Sequence, residues 1–204
     1  MEKGYVVVGL GNPGKEYEKT PHNAGRLAVE HFATVRAFGA FRAERAHKGL
    51  VSDGTLDMQD GTPCPVTLLL PETFMNASGK SVITCILSTE AERLIVIHDD
   101  VDIPLGTVKV SRDRGAGGHN GIASIIKELG TASFIRVRVG VAPKTVFGTV
   151  RRPTGDRLPA YVLKPVPALR EKSFMTGIVL AGDATEAIIR NGVGSAMNTY
   201  NGHQ

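Results

Sequence analysis

A single α/β domain, a three-layer sandwich of a twisted, mixed and largely parallel β-sheet flanked by helices, is the fold class this sequence predicts. Three observations carry it. Short β-branched runs recur along the chain, amphipathic helical patterns lie between them, and 204 residues suit one domain. Hydrophobic residues are 42% and charged residues 22%, enough apolar material to bury a core.

The strands are read at 5–10 (YVVVGL), 66–70 (VTLLL), 94–98 (LIVIH), 108–111 (VKVS) and 135–141 (IRVRVGV). Helical spacing is clearest in "HNGIASIIKELG", where Ile122, Ile125, Ile126 and Leu129 fall at i, i+3, i+4 and i+7 and Gly130 marks a stop. A second helix is expected over 23–39, with Leu27, Val29, His31, Phe32 and Val35. A third is expected over 78–88, a long one from Pro167 to about residue 191, and a short last one. The stretch 142–159 is rich in proline, glycine and base and is expected to be an exposed, mobile loop inside one domain spanning 1–204.

Several function classes drop out. "VVVGLGNPG" (6–14) matches the G-x-G-x-x-G of a dinucleotide turn, but that turn needs a helix at its third glycine. Pro21 breaks any helix begun at Gly14, and no ribose-binding acid follows at a strand end, so no nicotinamide cofactor is expected. Cys64 and Cys85 have no C-x-x-C neighbour and read as reduced thiols of a cytosolic protein. The N-terminus has too short an apolar run for a signal peptide, and no run approaches the ~20 residues of a membrane span. No G-x-S-x-G supports a serine nucleophile. His98, Asp99, Asp102 and His119 could be metal ligands, but no metal-binding spacing supports them, and no metal is expected. The net charge of +4 allows a polyanionic partner without requiring one.

What remains is polar chemistry in strand-to-helix loops. Asn12 follows a strand end between Gly11 and Pro13, so its amide is expected at the carboxyl end of the sheet, where α/β sheets bind ligands. His22 in "TPHN" is a candidate base on a proline-restricted backbone. "IHDDVD" (97–102) ends a strand with acids that can orient an imidazole. "GAGGHNG" and "ETFMNASG" bring Asn120 and Asn76 ahead of helices. Three amides, one base and one acid suit recognition of a carbonyl and attack by water. In 135–141, Arg136 and Arg138 share one face; Arg136 reads as solvated on an edge strand.

"GLGNPGKEYEKTPHNAG", "FMNASG", "HDDVDIPLG", "GAGGHNGI", "RVRVGV" and "YVL", in order over nearly the whole chain, resemble bacterial-type peptidyl-tRNA hydrolase. The resemblance implies an enzyme that cleaves the ester between a peptide and the 3′ end of tRNA, recycling the tRNA, without a cofactor. It implies His22 as general base, Asp99 as the acid holding it, and Asn12 as the sensor of the blocked amino group. Asn76 and Asn120 would grip the peptide or ribose end and position water. Tyr17 and Phe74 match further contacts to the tRNA end, and Lys109 and Arg138 match the bases that clamp phosphate. The implied partner is peptidyl-tRNA, held by its acceptor end and backbone, with no membrane; the implied protein is a cytoplasmic monomer. Pro21 stands where the family has arginine, Ser111 where some relatives carry a base, and 142–159 looks longer than usual. The alternative is a non-catalytic RNA-binding module on the same fold, which has no physical need of a base paired with an acid.

Overall fold

In the computed structural model, which describes residues 4–143, 150–155 and 157–202, the apolar runs form the expected strands. They are β1 (Tyr5–Gly9), β4 (Pro63–Pro71), β5 (Leu94–Pro104), β6 (Val108–Arg112) and β7 (Ile135–Ala142). Two further strands, β2 (Arg42–Glu44) and β3 (Gly49–Asp57), complete a seven-stranded sheet in the order β2-β3-β4-β1-β5-β7-β6. β4, β1, β5 and β7 run parallel at the centre, while β2, β3 and β6 pair antiparallel at the flanks. The central strands are apolar almost throughout because both of their faces are covered.

On one face, α1 (Ala24–Val35), α5 (Ala168–Asn191) and α6 (Val193–Asn201) supply Ala28, Val29, Phe32, Ile178, Ala181, Ile188 and Ala196 to a core with Val7, Leu68, Ile95, Ile97, Val137 and Val139. On the other, α2 (Gly79–Val82) and α3 (Asn120–Leu129) cover Val6, Val8, Leu69 and Val96 with Val82, Ile122, Ile125 and Leu129. The glycines after β1 serve this packing. A Cβ on Gly9 would lie 2.6 Å from the Gly25 carbonyl oxygen, and one on Gly25 would run into the Ile97 carbonyl. Glycine at both positions lets α1 lie directly on β1 and β5.

Three expectations change. The helix expected over 78–88 is one turn, Gly79–Val82, because the β-branched run Val82, Ile83, Thr84 resists helix extension. The helix expected over 23–39 ends at Val35, and Ala37 turns the chain with φ 53. The basic loop expected over 142–159 gives way to regular elements at both of its ends. β7 runs through Ala142, and α4 (Arg157–Val162) carries Pro159 in its first turn, where a missing N–H breaks no helical bond. Lys144, counted among that loop's bases, lies outside the described residues.

Candidate active site

The carboxyl ends of β1, β4 and β5 carry the polar loops. The loop after β1 is held by Asn23, whose Oδ1 accepts from Asn12 N (2.9 Å) and whose Nδ2 donates to Asn12 O (3.0 Å). Asn12 in turn accepts with its side-chain Oδ1 from Met75 N, at 2.8 Å, tying this loop to the one after β4. Asn12 was expected to present its whole amide to a ligand. Instead it is 8% exposed, its oxygen is taken, and only Nδ2 has no partner among the described residues. Pro21 suits its place: it starts a one-turn 3-10 helix, Pro21–Asn23, and Thr20 before it is extended, with ψ 152.

That turn delivers His22 to the end of β5. His22 Nδ1 lies 2.8 Å from Asp99 Oδ1, and the same oxygen lies 3.0 Å from His119 Nε2. The proton positions follow from the partners. Asp99 is a buried carboxylate, so both imidazoles donate to it. His119 is also the N-cap of α3, and its Nδ1 accepts from Gly121 N (3.1 Å) and Ile122 N (3.3 Å). Both nitrogens of His119 are therefore engaged. His22 donates from Nδ1 and keeps a lone pair on Nε2, which has no partner among the described residues.

The electrostatics agree. Burial disfavours a charged ring at His22, but the charge and hydrogen bond of Asp99 outweigh it and raise the His22 pKa above its ordinary value. Burial alone would push Asp99 up; His22 and His119 reverse this and hold it far below the usual carboxylate range. His98, 4% exposed, is driven well below the ordinary histidine value by burial first and by His119 second.

A pocket of about 270 Å³ opens over this pair. Its polar lining includes His22, His98, Asp99, His119, Asn120 and Arg138, with Asp100, Asp102 and Arg152 at the side, and Leu158, Val162 and Leu163 of the α4 segment form an apolar wall. Arg138 Nε donates to Asp100 Oδ2 at 2.8 Å, leaving the outer edge of its guanidinium without a partner among the described residues. Lys109 on β6 stands directly across from Arg138 on β7. Arg152 reaches the pocket from the segment after β7 and pairs with Asp102 at 3.0 Å. Arg136 corrects the sequence reading. β7 is not an edge strand, and Arg136 is 3% exposed, donating to Gly115 O (2.6 Å) and Arg114 O and lying over the Phe134 ring. Burial, with Arg138 and Arg114 nearby, lowers its pKa to about 10.

The sequence-predicted residues thus divide. His22, Asp99, Asn120 and Arg138 share the pocket, and Lys109 flanks it. Asn12 lines a neighbouring polar cleft of about 470 Å³ with Asn23, Arg26 and Glu30. Asn76 is exposed in the turn bound to Asn12 through Met75, Phe74 beside it is 62% exposed, and half-buried Tyr17 lies in the 3-10 turn before His22. Sequence reasoning missed the clamp by Asn23 and the part of His119 in holding Asp99; the only signal for the latter was its place just before a helix.

The metal candidates do not assemble as first grouped: His98 Nδ1 turns to Asp99 O, and Asp102 goes to Arg152. His22, Asp99 and His119 do bring ligand-type atoms within 4.8 Å. Their tautomers fit hydrogen bonding rather than coordination, since His119 Nδ1 faces two N–H groups and its Nε2 carries the proton. Among the described residues no helix is long and apolar enough to cross a membrane.

A histidine–acid pair at the carboxyl end of a parallel sheet is the equipment of a water-activating enzyme, and comparison gives the family. The family model for peptidyl-tRNA hydrolase matches residues 6–204. A peptidyl-tRNA hydrolase of Thermodesulfovibrio yellowstonii is 38% identical over 200 residues, covering 96% of this chain and 98% of that protein. One of Kineococcus radiotolerans is 36% identical, covering 98% of each. The solved structure of peptidyl-tRNA hydrolase from Acinetobacter baumannii superposes with a TM-score of 0.83 at 30% identity, over 98% of this chain and 96% of that one. The chain belongs to the peptidyl-tRNA hydrolase family.

Proposed function

We propose that this protein hydrolyses peptidyl-tRNA by water that His22 activates, with Asp99 holding the imidazole and its developing positive charge. The observation that carries the mechanism is the 2.8 Å contact of His22 Nδ1 with Asp99 Oδ1, which leaves Nε2 as the available base. Water approaches His22 Nε2, gives up a proton and attacks the ester carbonyl. The tetrahedral intermediate then collapses, its bond to the ribose 3′ oxygen breaks, and that oxygen takes from His22 Nε2 the proton the water gave up, restoring the neutral base. An ester is already activated, so positioning plus a base suffices.

Asn12 Nδ2 reads the amide that marks a blocked amino group, and Asn76 and Asn120 hold the peptide or ribose end and the water. Tyr17 and Phe74 receive the tRNA end. Arg138, oriented by Asp100, and Lys109 across from it bind the phosphate of the acceptor strand. The protein acts as a cytoplasmic monomer, where its substrate arises in translation.

The family match and the paired base and acid together disfavour a non-catalytic RNA-binding module. Incubation with N-acetyl-aminoacyl-tRNA tests the proposal. Release of the N-acetyl amino acid and free tRNA is expected; retention of intact substrate in a stable complex would support the module instead.

A further inference from the structure

His22 and His119 both donate to the Asp99 carboxylate, but His98 does not, and its placement is costly. It is 4% exposed at the end of β5, its Nδ1 lies 2.8 Å from the carbonyl oxygen of Asp99, and its Nε2 is buried without a partner among the described residues. A carbonyl only accepts, so Nδ1 carries the proton and Nε2 is an unpaired acceptor. An apolar side chain would fill this space without that penalty.

The gain is in what the ring touches. Its Nδ1–H holds the main chain of the residue whose carboxylate both other imidazoles share. Its edge meets the His119 ring at 4.7 Å with an interplanar angle of 73°, and His119 in turn lies 5.0 Å from the His22 ring. Asp99 is thus fixed from three sides: His22 and His119 at Oδ1, and His98 at its backbone. The charged and titratable groups around His98 are Asp99 on its own strand, His119 at the start of α3, and Arg136 on β7.

We propose that His98 is a positioning residue for the hydrolysis. Its Nδ1–H bond to the Asp99 carbonyl sets the direction of the carboxylate, and through it the tautomer and orientation of His22. This rests on the reading of His22 and Asp99 as base and acid.

Asparagine and glutamine separate the two ring nitrogens. An Asn amide nitrogen sits near where Nδ1 was; a Gln amide nitrogen sits near where Nε2 was. With the full-length protein and N-acetyl-aminoacyl-tRNA, His98→Gln and His98→Phe are expected to lower kcat about ten-fold or more with KM little changed. His98→Asn is expected to restore kcat to within about three-fold of the parent. The low-field His22 Nδ1 proton resonance should persist in His98→Asn and move or vanish in His98→Gln. Equal kcat for the Asn and Gln variants, or an unmoved resonance in His98→Gln, overturns the proposal. If Gln prevents folding, a Phe variant as active as the parent overturns it equally, because phenylalanine keeps the ring and loses the donor. His22→Ala run alongside keeps the two readings apart. Full activity there would sink the base assignment itself, whereas an inactive His22→Ala with indistinguishable His98 variants would sink only the role of His98.

Discussion

His22 Nδ1 and Asp99 Oδ1 lie 2.8 Å apart although 77 residues of chain separate them. The contact exists because α1 packs on β1 and β5 through Gly9 and Gly25, bringing the turn before α1 to the end of β5. On this account the packing of one helix sets the geometry of the reaction.

Replacing His22 by alanine removes the proposed base and one of the two imidazole donors to the buried Asp99 Oδ1, leaving His119 as the other. We expect kcat to fall by about 10²–10⁴, with tRNA affinity near that of the parent and a melting temperature lowered by the lost hydrogen bond. Steady-state hydrolysis with a parallel binding assay checks this. A variant that hydrolyses at the parental rate would place the base elsewhere.

The proposed phosphate contacts make Arg138 and Lys109 residues of binding rather than chemistry. Arg138→Ala should raise KM with kcat little changed, because the same contact serves ground and transition states. Each lost phosphate contact should reduce the slope of log K against log salt by about 0.7–0.9. Titration of binding against salt reads this directly, and an unaltered slope in Arg138→Ala would remove the residue from the phosphate site.

Asn23 is 2% exposed and clamps Asn12 with two hydrogen bonds to its backbone. Asn23→Ala leaves those buried groups unpaired and should cost about 1–3 kcal/mol for each. A lowered melting temperature is expected, together with a loss of kcat as Asn12 and the His22 turn loosen. Unchanged stability would show that water replaces the clamp.

The parallel core was legible because doubly covered strands must be apolar, as in "YVVVG" and "LIVI". β3 was not. "GLVSDGTLD" has glycine, serine and aspartate through its middle, and its strand form comes from pairing along its whole length with β4, a tertiary effect. At the site, residue types and loop positions marked His22, Asp99 and Asn120, and the resemblance gave their roles. The roles of His119 and Asn23 depend on which atoms meet across the loops. Histidine as an N-cap and asparagine as a backbone clamp leave no periodic trace in sequence. Arg136 was misread for the same reason: strand alternation put it on the same face as Arg138, but only the returning 113–119 loop buries it.

The central claim is that Asp99 tunes His22 as the base, and the pH dependence of kcat/KM tests it most directly. A general base acts as the neutral ring, and Asp99 raises the His22 pKa, so on the proposed mechanism activity should fall on acidification with a midpoint above the ordinary value of 6.5. In Asp99→Asn the charge that favours the protonated ring is gone. The midpoint should then move to lower pH while the plateau drops by ~10² or more. The same acid midpoint in parent and Asp99→Asn, with only the plateau changed, would contradict the account.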